Sequence, residues 1–175
     1  MSLTDHAPDR VTTAPPFSVR KLAIMAVFIA LSAVGSLVKI PSPLGTVGLD
    51  SAPGFFAALA FGGWVGFIVI AVGHVLGAAI VGFPLTLGVH LAIAAGMGGC
   101  ALAFRWLGKR GLAWLVVAVV VAALLNSFVL GLIVLPIGGW GMYIASVPSL
   151  LIGAVINLVI AAAAYWAVRD STLLH

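Results

Sequence analysis

Long apolar stretches alternate with short clusters of Gly, Pro and charge, and the alternation predicts six helical segments. About 20 apolar residues are needed to cross the roughly 30 Å hydrocarbon layer of a bilayer. Segment one runs from about residue 21 to 40. Residues 41–51 follow as a polar, turn-rich stretch whose prolines and glycines forbid a continuous helix. Segment two starts near Ser51, with Asp50 or Ser51 as its cap and Pro53 in its first turn, and ends at Gly62-Gly63. Segment three covers about 64–81, up to the break Gly82-Phe83-Pro84. Segment four covers about 85–107, up to the basic turn Gly108-Lys109-Arg110-Gly111. Segment five covers about 112–135. Residues 136–141 read as a Gly-rich loop carrying Trp140. Segment six covers about 142–168, with Pro148 near its start.

Composition turns these segments into membrane spans. The 175 residues are 63% hydrophobic and 7% charged, with no Glu and no Gln. Mean hydropathy is +1.30. So little charge does not cover the surface of a soluble domain of this size. The fold class expected is therefore an all-α integral membrane bundle of six transmembrane helices. Residues 19–169 form the membrane domain, residues 1–18 a flexible cytoplasmic tail and residues 170–175 a short C-terminal tail. The first sixteen residues are polar and carry Asp5 and Asp9, so they do not read as a secretory signal.

Charge sets the orientation. Arg20-Lys21, Arg105-Lys109-Arg110 and Arg169 each fall at a segment end, and with an even count they share one side. That is the positive-inside pattern, with both termini cytoplasmic, and it replaces the nucleic-acid partner that a basic chain otherwise suggests. Reading residues 51–81 as one bent helix would give five crossings and place Arg169 outside. The single cysteine, Cys100, excludes an intramolecular disulfide.

Against this apolar background the few polar residues stand out. Lys39, Asp50, His74, His90, Asn126 and Asn157 lie within or beside apolar segments, where polar groups are costly and mark interior sites. Lys39 and Asp50 bracket the first external loop. They either form an ion pair at a ligand, or Lys39 snorkels to the interface while Asp50 caps a helix. His74 lies mid-segment and reads as satisfied by a neighbouring backbone group or hydroxyl. A His74–His90 metal pair lacks a third ligand of matching type, so no metal site is assigned. His90, near the outer end of segment four, is the better candidate for a ligand contact. Asn126 and Asn157 either bond each other across helices or offer amides to a polar ligand. Trp140, with Tyr143, belongs to an interfacial belt or stacks on a planar ligand. Trp64, Trp106, Trp114 and Trp166 fit the belt at the other side. Ala26 and Ala30 form a small-residue face on segment one, suited to close helix approach or to packing within the chain; Gly66, Gly73 and Gly77 carry the same two readings.

Enzyme chemistry finds no support: there is no HExxH, no nucleophile elbow and no nucleotide-binding glycine loop. No carboxylate lies clearly mid-membrane, which leaves proton-coupled transport little to work with. No cofactor is expected.

Several strings together carry a family resemblance. They are residues 24–31, Ser32-Ala33-Val34-Gly35-Ser36-Leu37-Val38-Lys39-Ile40-Pro41-Ser42-Pro43, Gly45-Thr46-Val47-Gly48-Leu49-Asp50-Ser51-Ala52-Pro53-Gly54, Gly73-His74, and Gly82-Phe83-Pro84-Leu85-Thr86-Leu87 with His90. From about Arg20 to Arg169 the chain resembles the substrate-binding S components of energy-coupling factor (ECF) vitamin transporters. Lys-Ile-Pro-Ser-Pro and Leu-Asp-Ser-Ala-Pro-Gly are most similar to the subgroup associated with α-ribazole, a cobalamin precursor. The resemblance implies a non-enzymatic, multi-pass protein of a prokaryotic plasma membrane with a high-affinity external site. It also implies, as partners, a vitamin or vitamin precursor, a transmembrane coupling protein and two ATPase subunits. The S component would topple in the bilayer to carry its ligand inward, with the Ala26/Ala30 face on the coupling protein. A second class stays open on the residues alone: a self-sufficient small carrier or channel acting as a homo-oligomer. The expected ligand set is Lys39, Asp50, His90, Asn126, Trp140 and Asn157.

Overall fold

A computed structural model describes residues 18–42 and 45–171. The order of elements is α1 (Val19–Gly35), β1 (Lys39–Ser42), β2 (Gly45–Gly48), α2 (Ala52–Phe61), α3 (Gly63–Ile80), α4 (Leu87–Gly108), α5 (Leu112–Leu124) and α6 (Leu135–Val168). Between α5 and α6 the chain stays helical but changes pitch, with a π turn at Leu125–Val129 and a 3-10 turn at Leu130–Val134. The expected N-terminal tail lies outside the described residues apart from Ser18, whose Oγ accepts from Lys21 N at 3.4 Å and caps α1.

Small residues set the packing. In an apolar solvent helices associate by close approach, and glycine gives the closest. A Cβ on Gly54 would stand 2.5 Å from Ile70 Cβ, and Gly66 is pressed against Ala58, so α2 and α3 run antiparallel. Ser32 meets Gly73 and Ser36 meets Gly77, so α1 and α3 run parallel. His74 meets His90 and Gly98 meets Phe67, which makes α3 and α4 antiparallel. Gly108 against Leu115 and Gly96 against Leu130 give the same for α4 and α5. The result is an up-and-down bundle. All three glycines left open by the sequence, Gly66, Gly73 and Gly77, are used in packing within the chain. The core runs from Phe55, Leu59 and Ile70 through Phe104 and Leu115 to Leu158 and Tyr165.

The basic residues of the helices collect at one end of this bundle, with Lys39 of β1 at the other. Arg105 Nη1 donates to the carbonyls of Ala58 and Leu59 at 2.6 and 2.8 Å, closing the C-terminus of α2. Lys109 Nζ bonds Tyr165 Oη at 2.7 Å. Arg110 lies over Trp106 and Arg169 over Trp166. Among the described residues three helical stretches are long and apolar enough to cross a membrane: Gly63–Ile80, Leu87–Gly108, and Leu112–Val168, the last containing a fold-back. α2 is a shorter apolar helix.

Three expectations are corrected. The stretch after segment one holds strand as well as turn: Lys39–Ser42 and Gly45–Gly48 pair antiparallel, Lys39 opposite Gly48 and Pro41 opposite Thr46. The first helix ends at Gly35, five residues early, because the chain returns over it: Leu49 N donates to Gly35 O at 3.2 Å, and a side chain at Gly35 would collide with the Leu49 carbonyl. Residues 136–141 are not a loop. Helix resumes at Leu135, and the break is confined to Gly139 at φ 62°, a left-handed conformation that glycine adopts without penalty. The chain reverses there, for Tyr143 Oη reaches back to Phe128 O at 3.2 Å. The break expected at Gly62-Gly63 is present: residues 51–81 are two helices, parted at Gly62 (φ 129°) and folded against each other.

Candidate functional site

The polar residues form one connected cluster where the hairpin joins α2, together with several groups that stand apart from it. Asp50 follows β2. Its Oδ2 lies 3.6 Å from Nδ1 of His74 on α3, and their side chains are 18% and 17% exposed. His74 Nε2 lies 3.2 Å from Nδ1 of His90 in the first turn of α4. His90 is 6% exposed, and its Nε2 is buried without a hydrogen-bond partner. A line thus runs from a carboxylate through two imidazoles to one unpaired nitrogen. Thr86 Oγ1 caps α4 from Val89 N and fixes the start of the helix that carries His90. Phe83, at a left-handed φ of 50°, sets its ring 5.6 Å from the His90 ring. For a bulky residue that conformation is strained, and such strain concentrates at functional sites.

Asn157, on α6, is the second anchor. It is 2% exposed. Its Oδ1 accepts from Ala52 N at 2.8 Å, and its Nδ2 donates to Gly153 O at 2.9 Å and Gly48 O at 3.2 Å. Only this amide orientation pairs donor with acceptor at all three contacts. The first turn of α2 is therefore capped from another helix. Ser51 occupies the N-cap position but makes no capping bond, so the expected Asp50 or Ser51 cap is replaced by Asn157. Both Asn157 N–H groups are committed, and one Oδ1 lone pair is left. The expected alternative of an Asn126–Asn157 bond is likewise replaced by these three contacts.

The remaining expected residues stand apart from this cluster. Lys39 lies on β1, exposed, opposite Gly48; Asp50 pairs with His74 rather than with Lys39. Asn126 sits half-buried in the π turn and makes no side-chain bond to the described residues, while its neighbour Ser127 is fully buried with an unpartnered Oγ. π turns of this kind recur at functional sites. Trp140 is 65% exposed and edge-on to Tyr143. Ala26 and Ala30 lie on the exposed side of α1, away from the Ser32 and Ser36 seam with α3. Among the described residues no three His, Cys, Asp or Glu side chains are grouped to hold a metal ion. A cavity of about 400 Å³ on the helix flanks is apolar, lined by Phe28, Leu31, Pro53, Phe56 and Ala164, and the histidines do not line it.

His74 and Phe83 were underrated by sequence reasoning. Yet His74 and His90 each lie eight residues from Gly82, the breaker between their helices. Folding an antiparallel pair about that turn places the two imidazoles level.

Comparison with known proteins now decides the class. The sequence pattern of the family described as "ECF transporter, substrate-specific component" matches residues 20–168. The chain belongs to that family. S components are substrate-binding transporter subunits, not enzymes; they bind a small molecule, partner with an ECF module and reside in a membrane. A solved structure described as "Structure and mechanism of the S component of a bacterial ECF transporter" shares the fold, with a TM-score of 0.62 and 20% identity, over 86% of this S component and 93% of that chain. No curated protein matches in sequence.

Proposed function

We propose that this S component captures a vitamin or vitamin precursor, α-ribazole by preference, for ATP-driven import by a coupling protein and two ATPases. The observation that carries the proposal is that His90 Nε2 and Ser127 Oγ are buried without a protein partner, as Ser32 Oγ also is on the α1–α3 seam, and that the half-buried Asn126 amide makes no bond to the described residues. Such groups are costly in a membrane protein unless a ligand or water meets them. The proposed ligand residues are Lys39, Asp50, His90, Asn126, Trp140 and Asn157. Within that set Asp50 and Asn157 act largely by holding the hairpin, α2 and His74 in place. α-Ribazole suits the site chemically, since its ribose offers hydroxyls and its benzimidazole a flat apolar face for Trp140. The Lys-Ile-Pro-Ser-Pro and Leu-Asp-Ser-Ala-Pro-Gly strings support the same choice.

The up-and-down order of the helices and the basic residues at one end of them support a reading of six segments in a prokaryotic plasma membrane with both termini cytoplasmic. The hairpin end then faces outward. Ala26 and Ala30, exposed on α1, are the proposed docking face for the coupling protein. Native mass spectrometry of the purified protein, followed by calorimetry with α-ribazole, riboflavin, thiamine and biotin, tests the substrate. Binding of another vitamin but not α-ribazole refutes the substrate and keeps the class. Ion-driven uptake by this chain alone in liposomes refutes the ATP-coupled reading in favour of a self-sufficient carrier.

A further inference from the structure

The Asp50–His74–His90 line fixes which kind of ligand atom His90 accepts. Two neutral imidazoles carry two protons between them. One proton occupies the hydrogen bond between His74 Nε2 and His90 Nδ1, which are 3.2 Å apart. The other has two places to go. One is His74 Nδ1, which faces the Asp50 carboxylate at 3.6 Å. The other is His90 Nε2, which is buried with no acceptor near it. A nearby carboxylate stabilises a proton on the nitrogen that faces it, and the hydrogen bond made by one ring nitrogen sets the state of the other. A buried N–H without an acceptor is costly.

We infer that Asp50 holds the second proton on His74 Nδ1, so that His90 presents a bare Nε2 lone pair and selects a ligand that turns an O–H or N–H donor toward it. This rests on the cluster being part of the ligand site. His90 is the binding group; His74 and Asp50 are positioning residues that set its tautomer from two places along the line. Ligands offering only acceptors at that point, such as a carboxylate or a phosphate, are disfavoured, because two lone pairs would face each other.

The tautomers are measured directly by ¹⁵N NMR of the full-length protein labelled at histidine, in lipid nanodiscs at neutral pH and without ligand. His74→Gln and His90→Gln assign the signals. The expected spectrum shows both rings protonated at Nδ1 and bare at Nε2, and Asp50→Asn shifts part of the His90 population to protonated Nε2. A protonated His90 Nε2 in the parent, or tautomers unchanged by Asp50→Asn, overturns the inference. Calorimetry with α-ribazole gives the second readout. His90→Leu should weaken binding about ten- to a hundredfold, while His90→Gln, which still offers an acceptor oxygen, should recover most of it. Equal binding by the parent and both variants also overturns the inference. If the parent does not bind α-ribazole, the proposed substrate falls, and the NMR result still decides the tautomer.

Discussion

Replacing Asn157 by Leu separates its two possible roles. The side chains are similar in volume, so packing is largely kept while all three hydrogen bonds go. Gly153 O loses little, because it remains an intrahelical acceptor. Ala52 N and Gly48 O lose the partner that now binds them at 2.8 and 3.2 Å. An unpaired buried backbone group costs about 1–3 kcal/mol, and the Gly48 carbonyl is only partly buried, so the total comes to about 2–4 kcal/mol. For a chain of this length each kcal/mol lowers the midpoint by about 2–4 °C, so Asn157→Leu should melt roughly 4–16 °C below the parent. The protein carries its own reporter. Cys100 is 5% exposed in the core and reacts with a thiol-specific fluorogenic dye only once the bundle opens. The control is Asn126→Leu, which removes no bond among the described residues and should melt within about 2 °C of the parent while losing ligand affinity. A parental midpoint for Asn157→Leu, or an equal drop for Asn126→Leu, refutes the assignment of Asn157 as the pin between hairpin, α2 and α6.

Three further tests address other parts of the bundle. Gly73→Ala would place a Cβ 2.5 Å from Ser32 Cβ and should cost about 1–3 kcal/mol in the same melt, whereas Gly99→Ala, with open space around it, should leave the midpoint unchanged or slightly raised. Arg105→Met removes the charged donor from the Ala58 and Leu59 carbonyls and should destabilise by about 1.5–3 kcal/mol; an unchanged midpoint would show that water closes that helix end equally well. Ala30→Trp, on the exposed side of α1, should abolish uptake by the full transporter while ligand binding by the isolated subunit persists, and loss of both would place Ala30 in internal packing.

The helices were legible because apolar runs and breakers are local signals. Gly62-Gly63, Gly82-Phe83-Pro84 and Gly108 to Gly111 all fall where the chain turns. The hairpin was not legible, since a short stretch rich in Pro and Gly reads as irregular when its pairing partner lies only a few residues away. The loop at 136–141 was overcalled for a related reason: of its three glycines only Gly139 needs a left-handed backbone. In the site, Asp50, His90 and Asn157 could be picked out by cost alone, but their partners could not. Asn157 serves a backbone N–H 105 residues away, and no sequence pattern encodes such a bond. Asp50 looked like a cap because caps are common; its imidazole partner emerges only when α3 is laid beside the hairpin.

The shortness of α2 has a consequence for how the bundle meets lipid. Its ten residues span about 15 Å, half of the roughly 30 Å of hydrocarbon in an ordinary bilayer. Its N-terminus is met by Asn157 and its C-terminus by the guanidinium of Arg105. None of its residues is exposed, because α1, α3, α4 and α6 pack around it. Backbone that ends at membrane depth is tolerated only where protein buries it and satisfies its polar groups. The longer helices around α2 therefore face the acyl chains in its place, and both of its ends close on protein groups instead of headgroups.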